Sequence, residues 1–515
     1  MSENKQPSRE NILFDPESTW LKVCLILMFL LAALIRRDEI KAPGHLVDRE
    51  YISAIFARAF YYADNDNIEA WEKNVAITTK NQQPILEPPL LEYLVSLIYR
   101  VVGQEEMSFG RYLTNLFWLI GGAFMFKIAQ KLLSTDSAVF ATAYYLFVPM
   151  GVIISRSFQP DSLMMMLFLI SLYSIILYFE NQSTNRLLLS SILAGTTLLL
   201  RPLVLFALLC SFLVMSIHKK KRWSAIFEAP FLTFSSISLL IPALYYGYGI
   251  LIAGFMRWKV ATSFLPHLLI KWDFWRGWFE VGAGVAVHSF LVVAILEFFF
   301  LPRNLTRSLI IGLAISYLLF GVTFTYHIHT HPYYHIQLFP IIGICAAPFF
   351  VRITLALKKL PGKSWLAPVM AIMLIVLYFS YREVRQSLYT KVFESPNIAS
   401  EIGDHIGHSS QTVFVAYHYG LPLEYYGQFS GAPWPVSIDD PFYRSPDEKE
   451  RSVEERIYSL GFIPEYFVIT NFDLYNQQHQ DLQVYLEENC SVTAQTDQYL
   501  IYGSCHIPTA MENPD

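Results

Sequence analysis

Charge is scarce in this chain of 515 residues. Asp, Glu, Lys and Arg together make up 16%, against roughly 25% in soluble domains. That shortage excludes an ordinary soluble protein. A net charge of −5 likewise gives no basic footprint for a nucleic-acid partner. Cysteine is sparse too, with five residues. Cys24, Cys210 and Cys345 fall in apolar runs, where the default is a small buried hydrophobe. Cys490 and Cys505 fall in a polar region and can pair if that region faces an oxidising compartment. No phosphate-cradling glycine loop, Walker motif or serine nucleophile elbow is present. There is no solenoid-type repeat. The first apolar run, Trp20–Ile35, follows a polar segment and precedes no small-residue cleavage site, so it reads as a signal anchor.

Apolar residues, by contrast, are abundant: 54% of the chain is hydrophobic and 16% aromatic. Apolar runs near the length needed to cross a bilayer occur at Trp20–Arg36, Arg111–Gln130, Ser137–Arg156, Ser162–Phe179, Leu187–Leu200, Leu203–Ile217, Ala225–Tyr248, Ala283–Leu301, Ser308–Tyr326, Tyr333–Val351 and Trp365–Ser380. The expected fold is therefore an all-α polytopic membrane protein with about 11 transmembrane helices. Pro88–Val102 is apolar but short, and is expected to be an interfacial or partly inserted helix. Lys5, Arg9 and Lys22 place the N-terminal tail, residues 1–19, in the cytoplasm. The later basic clusters, such as His218–Arg222 and Arg352/Lys358/Lys359, then fall on the same side. This leaves a large first outer loop, residues 37–110, attached to a transmembrane domain at 20–381. Gly249–Gly282 is a second outer loop, whose tryptophans and basic residues suit the headgroup layer or a substrate platform.

Beyond Tyr381 the composition turns polar. Thr412–Tyr417, Tyr466–Thr470 and Tyr499–Tyr502 read as strands, with a Pro/Gly-rich turn at Gly431-Ala432-Pro433-Trp434-Pro435. Residues 382–515 are thus expected to be a small extracytoplasmic α/β domain, closed by a Cys490–Cys505 disulfide.

Several polar residues at the outer ends of apolar runs invite chemistry. Asp48, in Asp48-Arg49-Glu50-Tyr51, opens the first outer loop and is the candidate base; a solvated loop acid is the plain alternative. Arg58 lies ten residues on, along an amphipathic run. Asp161, in Arg156-Ser157-Phe158-Gln159-Pro160-Asp161, is either a second catalytic acid or simple helix-start chemistry beside a dipole. Arg201, before Pro202, needs a counter-charge between its apolar neighbours. A lipid phosphate would serve, and so would a local carboxylate. Four histidines fall within nine residues at His327-Ile328-His329-Thr330-His331-Pro332-Tyr333-Tyr334-His335, but their spacing fits no common zinc pattern. Contact with phosphate or substrate and interfacial packing both remain open for them. Glu87 precedes a double proline that starts a helix.

In their order, Asp48-Arg49-Glu50-Tyr51, Glu87-Pro88-Pro89-Leu90, Arg156…Pro160-Asp161, Leu200-Arg201-Pro202 and His331-Pro332-Tyr333-Tyr334…Pro340 resemble the GT-C glycosyltransferases. The likeness is to bacterial homologues of protein O-mannosyltransferases and lipid A aminoarabinose transferase, over roughly Trp20–Ser380. It implies a polyprenyl-phosphate-linked sugar donor and inverting attack by the hydroxyl of a lipid, glycan or protein acceptor. It also implies a site on the outer face of the inner membrane. In that scheme Asp48 and Asp161 are catalytic, while Arg58, Glu87, Arg201, His331 and Tyr334 contact substrate or phosphate. Relatives often carry lysine where this chain has Glu87 and Arg201; Arg201 preserves a cation and Glu87 does not. No cofactor is expected, and a divalent metal is a minor alternative. A transporter or flippase of lipid-linked sugars is the rival reading, though it would favour ionisable groups near the midplane over helix ends.

Overall fold

The computed structural model describes residues 13–38, 40–41, 47–257, 263–361, 378, 381–382, 395–434 and 452–507. Packing divides the chain into two units. The first comprises residues 1–45, 85–88 and 111–388; the second comprises 46–84, 89–110 and 389–515. Most of residues 37–110, expected from the sequence to be an outer loop of the helical domain, therefore groups with the C-terminal region.

The first unit is helical. Seven helices are long and apolar enough to cross a membrane: Thr19–Arg37, Met107–Leu132, Asp161–Glu180, Pro202–Lys220, Ala229–Ile252, Leu305–Thr323 and Leu338–Leu357. Serines set several helix starts by accepting a backbone N–H. Ser18 caps from Leu21, Ser134 from Ser137 and Ser183 from Arg186, each contact worth about 1 kcal/mol. Small residues bring helices close. A Cβ on Gly312 would lie 2.7 Å from the Cα of Ser211, so Leu305–Thr323 meets Leu205–Lys220 backbone to backbone there.

Two expected spans are broken helices. Ser137–Arg156 is Thr135–Phe147 followed by Pro149–Arg156, bent by 57°. Pro149 explains the break, since it supplies no N–H and occupies the first turn of the second piece. The span expected at Ala283–Leu301 is likewise two helices, Trp272–Ala286 and His288–Phe298, meeting at 96°. Val287 sits between them at φ 64°, a conformation that a β-branched residue rarely adopts. The tryptophan-rich stretch expected to be loop is thus the helix Trp272–Ala286. Among the described residues seven spans are counted, or nine if each bent pair is one. Thr184–Leu200 is an apolar helix of 17 residues, and apart from Tyr378 the expected Trp365–Ser380 span lies outside the described residues.

The second unit begins with three helices, Val47–Ala63, Ala70–Gln82 and Leu90–Val102. At 13 residues the last is about 20 Å long, too short to span a hydrocarbon core. Leu91, Val95 and Tyr99 are buried on one of its faces, while Val101 and Val102 are exposed.

The C-terminal region of this unit is built on a five-stranded mixed sheet. Its strands are β1 (Thr412–Val415), β2 (Gly431–Pro433), β3 (Tyr466–Ile469), β4 (Ser491–Gln495) and β5 (Leu500–Gly503), in the order β2-β1-β3-β5-β4. β1 is parallel to β2 and β3; β5 is antiparallel to β3 and β4. Period-two alternation feeds two apolar layers. Val413, Val415, Phe467, Ile469, Leu500 and Tyr502 face Tyr475, Leu482 and Leu486. Phe414, Val468 and Ile501 face Ala399, Ile402, Leu423 and Phe429. The Gly431–Pro433 stretch expected to be turn is an edge strand, where proline's missing donor costs least.

The expected disulfide joins Cys490 to Cys505, across the start of β4 and the end of β5. Closing a loop of about that length is worth roughly 3 kcal/mol. Cys490→Ser is accordingly expected to lower amide-exchange protection in β4 and β5 while leaving the membrane helices unchanged. Unaltered protection would remove the bridge's assigned weight.

Candidate active site

Two polar clusters carry the sequence-selected residues, one in each unit. In the helical unit, Pro160 leads into the helix Asp161–Glu180, so Asp161 occupies its first turn, where the helix dipole favours a carboxylate. Arg201 is the C-cap of Thr184–Leu200, in extended backbone just before Pro202. These two ends meet: Arg201 Nη1 lies 3.0 Å from Asp161 Oδ2 and 3.8 Å from Glu87 Oε1. The Asp161 side chain is fully buried, and those of Arg201 and Glu87 are 12% and 8% exposed. The guanidinium also lies 5.7 Å from the centre of the Tyr333 ring. The structure therefore brings Glu87, Asp161 and Arg201 together. The counter-charge that Arg201 needed is supplied by carboxylates of the chain itself. Asp161 is thus buried against the cation.

The histidine run folds into the short helix Thr325–Thr330 and the turn Pro332–His335. His335 uses both ring nitrogens. Nε2–H donates to the Ile328 carbonyl at 2.7 Å, which leaves Nδ1 to accept from the Tyr317 hydroxyl at 2.7 Å. His329 Nδ1–H donates to the Thr325 carbonyl at 2.8 Å. His331 Nδ1 lies 2.6 Å from the Thr330 hydroxyl, and its ring packs on those of Tyr333 and Tyr334. Tyr334 stacks in turn on Phe320. These contacts favour local packing for His329 and His335. Among the described residues no three His, Cys, Asp or Glu side chains are grouped to hold a metal ion.

In the second unit, Asp48 and Glu50 lie in the first turn of Val47–Ala63. Glu50 is fully buried, while the Asp48 side chain is 48% exposed. Asp48 Oδ1 lies 2.8 Å from His418 Nδ1. With a carboxylate as acceptor, Nδ1 carries the proton. Farther along the helix, Tyr51 packs edge-on against Tyr425 and Tyr426 at 5.6 and 5.7 Å. Ser53 Oγ donates to Glu92 at 2.7 Å. Arg58 is held by Glu105, with Nε 2.8 and 2.9 Å from its two oxygens. It also donates to the Tyr425 carbonyl, and its guanidinium lies 3.9 Å from the Tyr425 ring centre. So engaged, Arg58 reads as a tie between helices more readily than as a phosphate contact.

Sequence reasoning missed His418 and Glu424, both in the segment Tyr417–Gly427. Neither shows a sequence signal, because Asp48, the partner of His418, and Gln83, one partner of Glu424, each lie more than 340 residues away. Glu424 is 3% exposed; it accepts from the Gln83 amide at 3.1 Å and the Gly431 N–H at 3.3 Å. Burial pushes its carboxyl up to about 8, against those two donors, which favour the charged form. A carboxyl that holds its proton more tightly folded than unfolded contributes stability below the unfolded value near 4.5, and loses it as pH rises towards 8. Glu424→Gln, which cannot ionise, is expected to raise Tm at pH 8 and leave it nearly unchanged at pH 4. Equal shifts at both pH values would show that Glu424 is not protonated in the folded protein.

The fold has known counterparts. ArnT from Cupriavidus metallidurans, in a structure bound to undecaprenyl phosphate, superposes with a TM-score of 0.58 at 12% identity, covering 94% of this chain and 98% of that one. The Archaeoglobus fulgidus oligosaccharyltransferase, tethered to an acceptor peptide containing the NVT sequon, gives 0.56 at 12% identity, covering 92% and 71%. Its apo form gives 0.51 at 13% identity, covering 88% and 70%. Residues 86–246 match the model of the dolichyl-phosphate-mannose-protein mannosyltransferase family. No curated protein matches the sequence significantly. With a matching fold along nearly its whole length and this family signature over residues 86–246, the chain is a multi-pass membrane protein of the GT-C fold, resembling ArnT and the protein mannosyltransferases.

Proposed function

We propose that the protein transfers a sugar from a polyprenyl-phosphate donor to a hydroxyl acceptor, with inversion, on the outer face of the inner membrane. The observation that carries this reading is the Glu87–Asp161–Arg201 cluster. All three residues lie inside the stretch that matches the mannosyltransferase family, on a fold shared with a protein that binds undecaprenyl phosphate.

The roles follow from the chemistry. The acceptor oxygen attacks the anomeric carbon, the bond from that carbon to the phosphate oxygen breaks, and the lipid phosphate leaves with the electron pair. Asp48, partly exposed at a helix start, takes the acceptor proton. Arg201 stabilises the charge that develops on the phosphate. Both carboxylates lie at Nη1, so the Nε–Nη2 edge of the fork is the one that meets the phosphate. Asp161 keeps the guanidinium oriented. Glu87 tempers the cation's charge, which lets the lipid phosphate leave after reaction. His331 and Tyr334 line the approach to the lipid head. The transfer needs no cofactor in this scheme.

The test is mass spectrometry of lipid-linked and cell-surface glycans in cells with and without the intact gene product. A one-sugar mass difference on a surface glycan, with the sugar-loaded lipid accumulating in its absence, supports transfer. Redistribution of the loaded lipid with no sugar missing from any product would instead identify a transporter.

A further inference from the structure

The hydrogen bond between Asp48 and His418 joins residues 370 positions apart, and the backbone that delivers the histidine is unusual. His418, Tyr419 and Gly420 follow one another at φ 52°, 55° and 72°. Three successive left-handed residues, two of them with side chains, cost free energy, on the order of 1–3 kcal/mol for each non-glycine residue. Gly420 is required there, since a Cβ would lie 2.1 Å from the Phe414 ring. A turn of that kind persists only where the surroundings impose it. Here β1 ends at Val415 on one side, and on the other Leu421–Gly427 packs into the core through Leu423 and against the Val47 helix through Tyr425 and Tyr426. Between these anchors the imidazole is carried to the carboxylate.

We propose that His418 is the positioning residue of Asp48: its Nδ1–H fixes the carboxylate rotamer, so that one oxygen is presented to the acceptor hydroxyl. This rests on the reading of Asp48 as the base. A side chain in the first turn of a helix, half exposed, otherwise has several staggered rotamers open to it. Holding one of them removes that freedom before the acceptor arrives. A displacement of the base by about 1 Å can cost on the order of 10²-fold in rate. The same contact gives the C-terminal region a direct part in the chemistry, beyond serving as a cover or a tether.

Three substitutions separate the bond from the turn. His418→Asn keeps an N–H donor near the position of Nδ1, and asparagine tolerates a left-handed backbone. His418→Gly tolerates the backbone better still but removes the donor. His418→Ala removes the donor and adds strain. Each is made in the full-length protein and followed by three readouts: melting temperature, binding of undecaprenyl phosphate to the purified protein, and restoration of the glycan product in cells lacking the native copy. The expected result is that glycine and alanine reduce product formation about 10²-fold, with undecaprenyl phosphate affinity within twofold of wild type, and that asparagine recovers most of the loss. Glycine is expected to match or exceed the wild-type melting temperature. Two results would overturn the proposal: glycine supporting wild-type product formation, or asparagine failing as completely as alanine while folded. Full activity of Asp48→Asn would instead sink the base assignment, which keeps the two failures distinguishable.

Discussion

Asp48→Asn is expected to lower sugar transfer by about 10²–10⁴-fold, the range that general-base assistance supplies, with undecaprenyl phosphate binding and melting temperature close to wild type. The substitution keeps the shape of the side chain and one oxygen that can still accept from His418 Nδ1–H, so the turn at His418–Gly420 need not move. What is lost is the capacity to take up a proton. Because that capacity is used in the transition state, the loss should fall on turnover and leave donor affinity alone. Purified protein, a synthetic polyprenyl-phosphate sugar and a membrane extract as acceptor source allow both to be followed. Turnover at the wild-type rate would remove the centre of the functional reading.

Arg201 is expected to behave differently. Arg201→Ala removes a cation from the fully buried Asp161 and from Glu87. Deleting one partner of a buried ion pair costs roughly 3–5 kcal/mol, so this variant should lose both folding and binding, and its inactivity would carry little information. Arg201→Lys is the decisive change. It retains a charge for Asp161 and hence the fold, but it lacks the planar fork that can serve a carboxylate on one edge and a phosphate on another. It should weaken undecaprenyl phosphate binding and turnover together, by about tenfold or more for the loss of a charged hydrogen bond worth roughly 1.5–3 kcal/mol. A lysine variant that folds and binds the lipid as tightly as wild type would assign Arg201 to the ion pair alone.

The parts legible from the sequence are those governed by local pattern. Hydropathy located the long helices of the membrane unit, such as Asp161–Glu180 and Leu305–Thr323, because a lipid-facing helix must be apolar over its whole length. Alternation found β1, β3 and β5. The same signals could not show where a helix breaks. Val287 reads as one more apolar residue in a run, and only its left-handed backbone divides the helix there. β4 went unseen because its residues are largely exposed and polar. At the candidate site, the order of motifs selected Glu87, Asp161 and Arg201, and these prove to be neighbours. Arg58 was also selected, yet its guanidinium is engaged by Glu105, a residue that no motif marked. His418 lies beyond the reach of any periodicity, since its meaning comes from a partner at the far end of the chain.

That separation has a consequence for how the protein is made. The helix Val47–Ala63 is among the first elements synthesised, but Tyr425, Tyr426 and His418 against it are among the last. At about 5–20 residues per second, ribosomal synthesis of the 370 residues from Asp48 to His418 takes roughly 20–70 s. Throughout that interval Tyr51 and Arg58 wait without Tyr425 and Tyr426, and the growing chain holds an incomplete unit that a chaperone or protease can engage. A nascent chain released before Tyr417 would carry the Glu87–Asp161–Arg201 cluster in full and still lack the imidazole beside Asp48. With Asp48 as the base and His418 as its positioning residue, such a chain would lack a positioned base until the polypeptide is complete.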